Sequence, residues 1–225
     1  MSEYMSGSEV AAHLGVSGRR VRALIASGRL PAHQVAGRWL VAADVVLGFR
    51  HKDGGRPMAE GSAWSVLASL AGEDVHVPLR LRNRVEILEN QSSPHLRLWS
   101  WVSARGHLHR AWAFRPVIDE LAADDRLVLS GGHGSQNLSP SNHLRAYVSA
   151  AEIDAVVSEY GLRVPSEGQV PNVFLWAVAD PGSVPRRRDN PRIVASVVSA
   201  MDLLDDGDPR AVGEAKDIVA GLVNV

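Results

Sequence analysis

The chain contains no cysteine. Disulfides, thiolate metal sites and a cysteine nucleophile are therefore excluded together, and the composition is compatible with a reducing compartment. Lysine is nearly missing as well: of 24 basic residues, only Lys52 and Lys216 are not arginine. Arginine suits bidentate contacts to phosphate and to guanine, although a GC-rich coding sequence gives the same bias and accounts for most of it. No uninterrupted apolar run approaches membrane-spanning length, and the opening MSEYMSGSEV has neither a basic start nor an apolar stretch. A membrane span and a secretion signal are not expected, so the chain reads as cytoplasmic. Catalytic strings are lacking too, with no His-Glu-x-x-His and no Gly-x-Ser-x-Gly elbow.

What is present is an ordinary folded composition, 45% hydrophobic and 22% charged over 225 residues, enough for one large or two small domains. The net charge of -1 hides a division along the chain. Residues 1–57 hold eight Lys or Arg against four acids, while the remainder holds 16 against 21. The amino-terminal part is thus basic and the rest acidic, which localises any phosphate-binding footprint to the first quarter of the chain.

That first quarter carries a mechanism legible in its spacing. Ser8 is placed to accept backbone hydrogen bonds at a helix start, with Val10, Ala11 and Leu14 on one face. Gly15 ends this helix, Val16 plugs the angle to the next, and Ser17 caps it. On the second helix Val21, Leu24 and Ile25 form the apolar stripe, so Arg19 and Ala23 point away from it and Arg20 and Arg22 flank them. Gly28 stops the helix and Leu30-Pro31 turn the chain. His33–Val35 then pairs with Arg38–Val41 across Ala36-Gly37 as a short wing, with Arg38 at its tip and Trp39 packing back onto the helices. A third short helix is expected over Asp44–Phe49. Gly18 lowers helix propensity by about 1 kcal/mol relative to Ala.

The run EVAAHLGVSGRRVRALIASGRLPAHQVAGRW resembles the excisionase and MerR-type winged-helix DNA-binding domain. That resemblance implies a second helix in the major groove, carrying Arg19, Arg20 and Arg22, and a wing arginine, Arg38, on the adjacent minor groove or its phosphates.

RHKDGGRP at residues 50–57 has the composition of a linker, and Lys52 and Arg56 within it could track the phosphate backbone. Beyond it, Ala63, Trp64, Leu67 and Leu70 are spaced for a helix ending near Ala71-Gly72. Residues 78–89 form an arginine-rich second helix on a stripe of Leu81, Val85 and Leu88, whose Arg80, Arg82 and Arg84 suit solvent better than DNA. The apolar Leu96–Val102 followed by Leu108–Ala113 is consistent with a hairpin or with a strand after a helix. Further elements are a helix at Pro116–Ala122, strands at Leu127–Leu129, Arg145–Val148 and Asn172–Ala179, and a helix at Ala151–Tyr160 stopped by Gly161. SGGHGSQNLSPSN lacks the Lys-Ser/Thr ending of a phosphate-binding loop and reads as a surface loop. Ile193, Val194, Val197, Val198 and Met201 mark a penultimate helix, and Val212, Ala215, Val219 and Leu222 a last one capped by Asp208. The spacing of Asp202, Asp205, Asp206 and Asp208 does not fit a calcium loop, so capping and solvation account for them.

Segments such as RPMAEGSAWSVL, RAWAFRPVIDELAADDRLVLSGG, PNVFLWAV and MDLLDDGDPRAVGEAKDI resemble the actinobacterial AbiE-type antitoxins of type IV toxin-antitoxin and phage-defence operons. The resemblance implies repression of the operon's own promoter through inverted repeats. It also implies opposition to a nucleotidyltransferase toxin without a stable complex.

His107 and His109 would share one face of a strand, a spacing that can bind zinc, but no Asp or Glu pattern completes a site. The sequence therefore leads us to expect an α+β protein: a winged helix-turn-helix over 1–50, a linker at 51–57 and a mixed α/β effector or interaction domain over 58–225. Its DNA-binding residues would be Ser17, Arg19, Arg20, Arg22, Arg29, Arg38, Lys52 and Arg56, with no catalytic, cofactor or metal residues. The partner would be double-stranded DNA carrying inverted or direct repeats, read by a homodimer or a cooperative pair, because one small winged helix reads few base pairs. An excisionase-like architectural protein of a mobile element, or a ligand-sensing MerR-type regulator, is the alternative.

Overall fold

The computed structural model describes residues 4–14, 16–26, 30–35, 37–43, 45–46, 57–91, 93–130, 143–166, 169–206 and 209–223. Gly15, Gly28, Arg29, Asp44, most of the proposed linker with Lys52 and Arg56, the SGGHGSQNLSPSN loop after its first serine up to its last asparagine, and Asp208 lie outside them.

The amino-terminal unit begins with β1 (Tyr4–Ser6), which runs directly into α1 (Gly7–Leu14). The start of α1 is held by a capping box placed earlier than the sequence suggested. The Ser6 N–H donates to Glu9 Oε2 at 2.7 Å, and the Glu9 N–H donates to Ser6 Oγ at 3.4 Å. Ser8, expected to be the cap, lies inside the helix and shares a hydroxyl hydrogen bond with Ser6 at 3.0 Å. The end of α1 is closed by the wrap-around bond from Val16 N–H to the Ala11 carbonyl at 3.0 Å. The second helix, α2 (Gly18–Ala26), buries Val21, Leu24 and Ile25, as the stripe predicted. Each such side chain contributes about 1.5–3 kcal/mol when fully withdrawn from water.

Strands β2 (His33–Val35) and β3 (Arg38–Ala42) make the wing, with Val35 opposite Arg38 and Gly37 in the left-handed region at φ 77°. Sequence spacing did not reveal β1, which pairs antiparallel with β3 from Tyr4↔Ala42 to Ser6↔Leu40 and completes a three-stranded sheet of order β1-β3-β2. Trp39, expected to pack back onto the helices, is 38% exposed, whereas Val41, two residues on along the same face of β3, is fully buried. Val45 and Val46 close the unit in helical backbone, both buried.

In the rest of the chain α3 (Glu60–Leu70), α4 (Leu79–Glu89) and α5 (Pro94–Trp101) precede a sheet built from β4 (His107–Ala111), β5 (Val128–Ser130), β6 (Leu144–Ser149) and β7 (Val173–Val178). Its order is β4-β7-β6-β5, antiparallel at β4/β7 and β5/β6 and parallel at β6/β7. A parallel pair needs a crossover, and α7 (Ile153–Glu159) supplies it, stopped by Gly161 at φ 57°. Helix α6 (Arg115–Ala123) lies between β4 and β5 in the chain. Of the two readings of Leu96–Val102, helix followed by strand is the one observed.

The strands obey a period of two. Leu144, Ala146 and Val148 of β6, with Val173, Leu175 and Ala177 of β7, form one face, buried with Ile118 and Leu121 of α6 and Ile153 and Val156 of α7. Tyr147, Trp176, Val178 and Val128 form the other, buried with Trp64, Trp99 and the residues of α8 (Ser196–Asp206) and α9 (Pro209–Val223). This larger apolar cluster also takes in Val10, Val21, Leu24, Val41, Val45 and Val46 of the amino-terminal unit. Ile193 and Val194 stand outside α8, making isolated bridges to Leu129 and Arg186 instead of extending the helical stripe. At the sheet edge, Trp112 exchanges backbone bonds of 2.8 and 3.1 Å with Arg163.

Candidate nucleic-acid interface

Helix α2 begins where the Ser17 hydroxyl accepts the Arg20 N–H at 3.2 Å, the capping geometry expected of this residue. Because Val21, Leu24 and Ile25 turn inward, the 100° step per residue carries Arg19, Arg20, Arg22 and Ala23 outward, and all four are exposed. Among the described residues no carboxylate pairs with Arg19, Arg20, Arg22 or Arg38. Arg22 is partly engaged, its Nε donating to the Gly18 carbonyl at 3.4 Å. Glu9, the acid nearest to α2 in sequence, is occupied at the start of α1, where the Ser6 N–H and hydroxyl hold its carboxyl below the usual range. Arg38 is exposed at the wing turn, next to the exposed Trp39. The unit therefore offers a helix N-terminus, unpaired guanidiniums on one helix face and another on a hairpin, the chemistry that binds phosphate and base edges of a duplex. Arg29, Lys52 and Arg56 fall outside the described residues.

The body holds a second concentration of charge, which sequence spacing did not reveal. Arg105, fully buried, donates through Nη2 to Asp202 Oδ1 at 2.6 Å and to Asp205, and through Nε to the Tyr147 hydroxyl at 3.0 Å. Tyr147 in turn donates to Asp202 at 2.5 Å, Ser130 donates to the other Asp202 oxygen, and Trp99 Nε1 donates to Asp205 at 2.7 Å. The guanidinium carbon lies 4.1 Å from the ring centroid of Trp176. Burial alone would lower the Arg105 pKa, but Asp205, Tyr147 and Asp202 outweigh it and hold it well above the ordinary value. Burial raises the Asp205 carboxyl, against the pull of Arg105, and raises the Tyr147 phenol.

Capping and solvation therefore do not explain Asp202 and Asp205, whose side chains are 1% and 11% exposed. The signal was available, since Asp202 and Asp205 follow Val198 at i+4 and i+7 and so continue its apolar stripe. This network ties α8 to α5, β5 and β6 and is enclosed in the core, so we assign it to the architecture.

His107 and His109 do share a strand face, with their rings 4.9 Å apart edge to face. Burial, and then His107, lower the His109 pKa. Among the described residues no group of three or more His, Cys, Asp or Glu is arranged to hold a metal ion. No helix among them is long and apolar enough to cross a membrane.

A family model described as Helix-turn-helix domain matches residues 4–50 of the chain, the span of the unit built from β1 to the buried valines after β3. No curated protein and no solved structure matches the chain. The match supports an excisionase-like helix-turn-helix and, with it, a DNA-binding regulator.

Proposed function

We propose that the protein is a sequence-specific transcriptional regulator that represses its own operon, the antitoxin member of a type IV-like toxin-antitoxin or phage-defence pair. It acts by binding, without catalysis. The observation that carries the reading is the exposed arginine face of α2, Arg19, Arg20 and Arg22, with no carboxylate paired to it among the described residues, in a unit that matches a helix-turn-helix family and has Arg38 on its wing. Phosphate neutralisation by Arg19, Arg22, Arg29 and Arg38 supplies most of the affinity, and the amino-terminal end of α2 at Ser17 receives a further phosphate. Arg20, or Arg19, reads base edges. Repeated half-sites occupied by two copies supply the remaining specificity.

The test is a titration of the protein against the DNA upstream of its own gene. Arg20→Ala should cost about 1–3 kcal/mol on the preferred site and relax the preference there, whereas Arg38→Ala should weaken all sequences alike. A protein with no salt-dependent affinity for that DNA would refute the reading. The excisionase-like match favours one second reading, an architectural factor on a mobile element. Footprinting separates the two, since a repressor protects a promoter and an architectural factor protects attachment-site repeats.

A further inference from the structure

Helix α4 carries three arginines in five residues, and the helical wheel divides them. With Leu81 and Leu88 buried, Arg82 falls on the flank that it shares with Glu86, while Arg80 and Arg84, four residues apart, fall together on the opposite flank. On the neighbouring α5, Arg97 and Trp101 are likewise four residues apart, both half-buried beside the fully buried Leu98 and Trp99. The two helices pack so that the Arg84 guanidinium carbon lies 5.8 Å and that of Arg97 5.4 Å from the Trp101 ring centroid. One indole thus holds two cations.

Like charges gathered this way repel unless an anion lies between them. Acids outnumber bases 21 to 16 in the chain beyond residue 57, yet among the described residues none forms an ion pair with Arg80, Arg84 or Arg97. Arg105, Arg115, Arg126, Arg187 and Arg192 meet carboxylates, whereas Arg82, Arg110 and Arg163 form no such pair among the described residues, so it is the shared indole that sets Arg84 and Arg97 apart. Arg97 Nε is moreover buried with no acceptor. The patch also sits where the chain arrives from the amino-terminal unit, because the Met58 N–H donates to the Trp101 carbonyl at 2.8 Å.

We infer that Arg84 and Arg97, held around Trp101, together with Arg80 one turn before Arg84, form a second phosphate-binding surface that carries the contact with double-stranded DNA beyond the winged helix. The inference rests on the DNA-binding reading above. The guanidiniums neutralise backbone phosphates and read no sequence, so their contribution is visible as counterion release.

The experiment measures affinity of the full chain for the DNA upstream of its gene at several salt concentrations. It compares the parent with Arg80→Gln/Arg84→Gln/Arg97→Gln and with Arg80→Gln/Arg84→Gln, the double variant leaving the Arg97–Trp101 pair intact. Each phosphate deprived of its arginine should reduce the slope of log affinity against log salt by about 0.9, so the triple variant should fall by about 2–3 and the double variant by about 2, with base preference unchanged. A hydroxyl-radical footprint should shorten on one side. Unchanged slopes and footprint in both variants, alongside a reduced slope in Arg19→Ala/Arg20→Ala, would overturn the second surface and leave the winged-helix reading standing. Absence of salt-dependent binding in the parent chain would overturn both.

Discussion

Replacing Arg105 by Met removes the guanidinium from a buried cluster and leaves Asp202 and Asp205 facing each other without it. The change also deprives the Tyr147 hydroxyl of a donor and Trp176 of its stacked guanidinium, which lie at 3.0 and 4.1 Å in the parent protein. Breaking a buried pair by deleting one partner costs about 3–5 kcal/mol, mostly the penalty of an uncompensated buried charge. For a chain of this size each kcal/mol moves the melting temperature by about 2–4 °C, so Arg105→Met should melt roughly 6–20 °C lower.

The pH dependence has a definite sign. Burial raises the Asp205 carboxyl in the folded protein, so between its unfolded and folded pKa the folded state holds the extra proton and stability falls as pH rises. Removing the guanidinium raises that carboxyl further and extends the window upward. The deficit of Arg105→Met, measured by thermal or urea melts, should therefore be larger at pH 8 than at pH 5, and adding Asp202→Asn and Asp205→Asn should recover part of it. Equal deficits at the two pH values, with no recovery from the asparagines, would refute the account of the cluster as a charge-compensated core element.

Three other perturbations follow from single contacts. Ser17→Ala removes the hydroxyl that accepts the Arg20 N–H at 3.2 Å and should cost about 1 kcal/mol, read as faster amide exchange in α2. Gly106→Ala would set a Cβ 2.9 Å from the Ala177 carbonyl oxygen and 3.0 Å from Val178 Cγ1, so β4 and β7 must separate, and a stability lowered by about 1–3 kcal/mol is expected in denaturant titration. The Arg126 side chain, hydrogen-bonded to Asp124, holds that carboxyl down to about 2, so the pair stabilises the fold above the ordinary carboxylate pKa and loses its effect as pH falls through that value. Asp124→Asn should accordingly flatten acid unfolding between about pH 4 and pH 2, observed by circular dichroism.

The elements legible in the sequence were those in which a local rule and burial agree. The α2 stripe, the Ser17 cap, the wing register across Gly37 and the stop at Gly161 each rest on spacing within a few residues, and each recurs in the structure. What escaped was long-range. Strand β1 has only three residues and owes its existence to β3, more than thirty positions away, so no local period announces it. The Ser6–Glu9 box was present as a motif, but the serine two residues later drew the cap assignment. Asp202 and Asp205 looked solvated because their partner, Arg105, lies about a hundred residues earlier and becomes visible only once α8 packs on the sheet. Trp39 is more open than its size suggested: it sits nearer the turn than Val41 on the same strand face, and only Val41 is fully buried.

That last side chain has a practical consequence. The chain has six tryptophans, and Trp39 is the one in the amino-terminal unit; Trp64, Trp99 and Trp176 are buried in the body, and Trp101 and Trp112 only partly covered. Emission from this partly exposed indole, beside Arg38 at the tip of the hairpin, therefore gives an optical signal from the wing, separated from that of Trp101 and Trp112 by comparison with Trp39→Phe. Quenching of that signal as duplex is added would time the arrival of the hairpin without any attached dye.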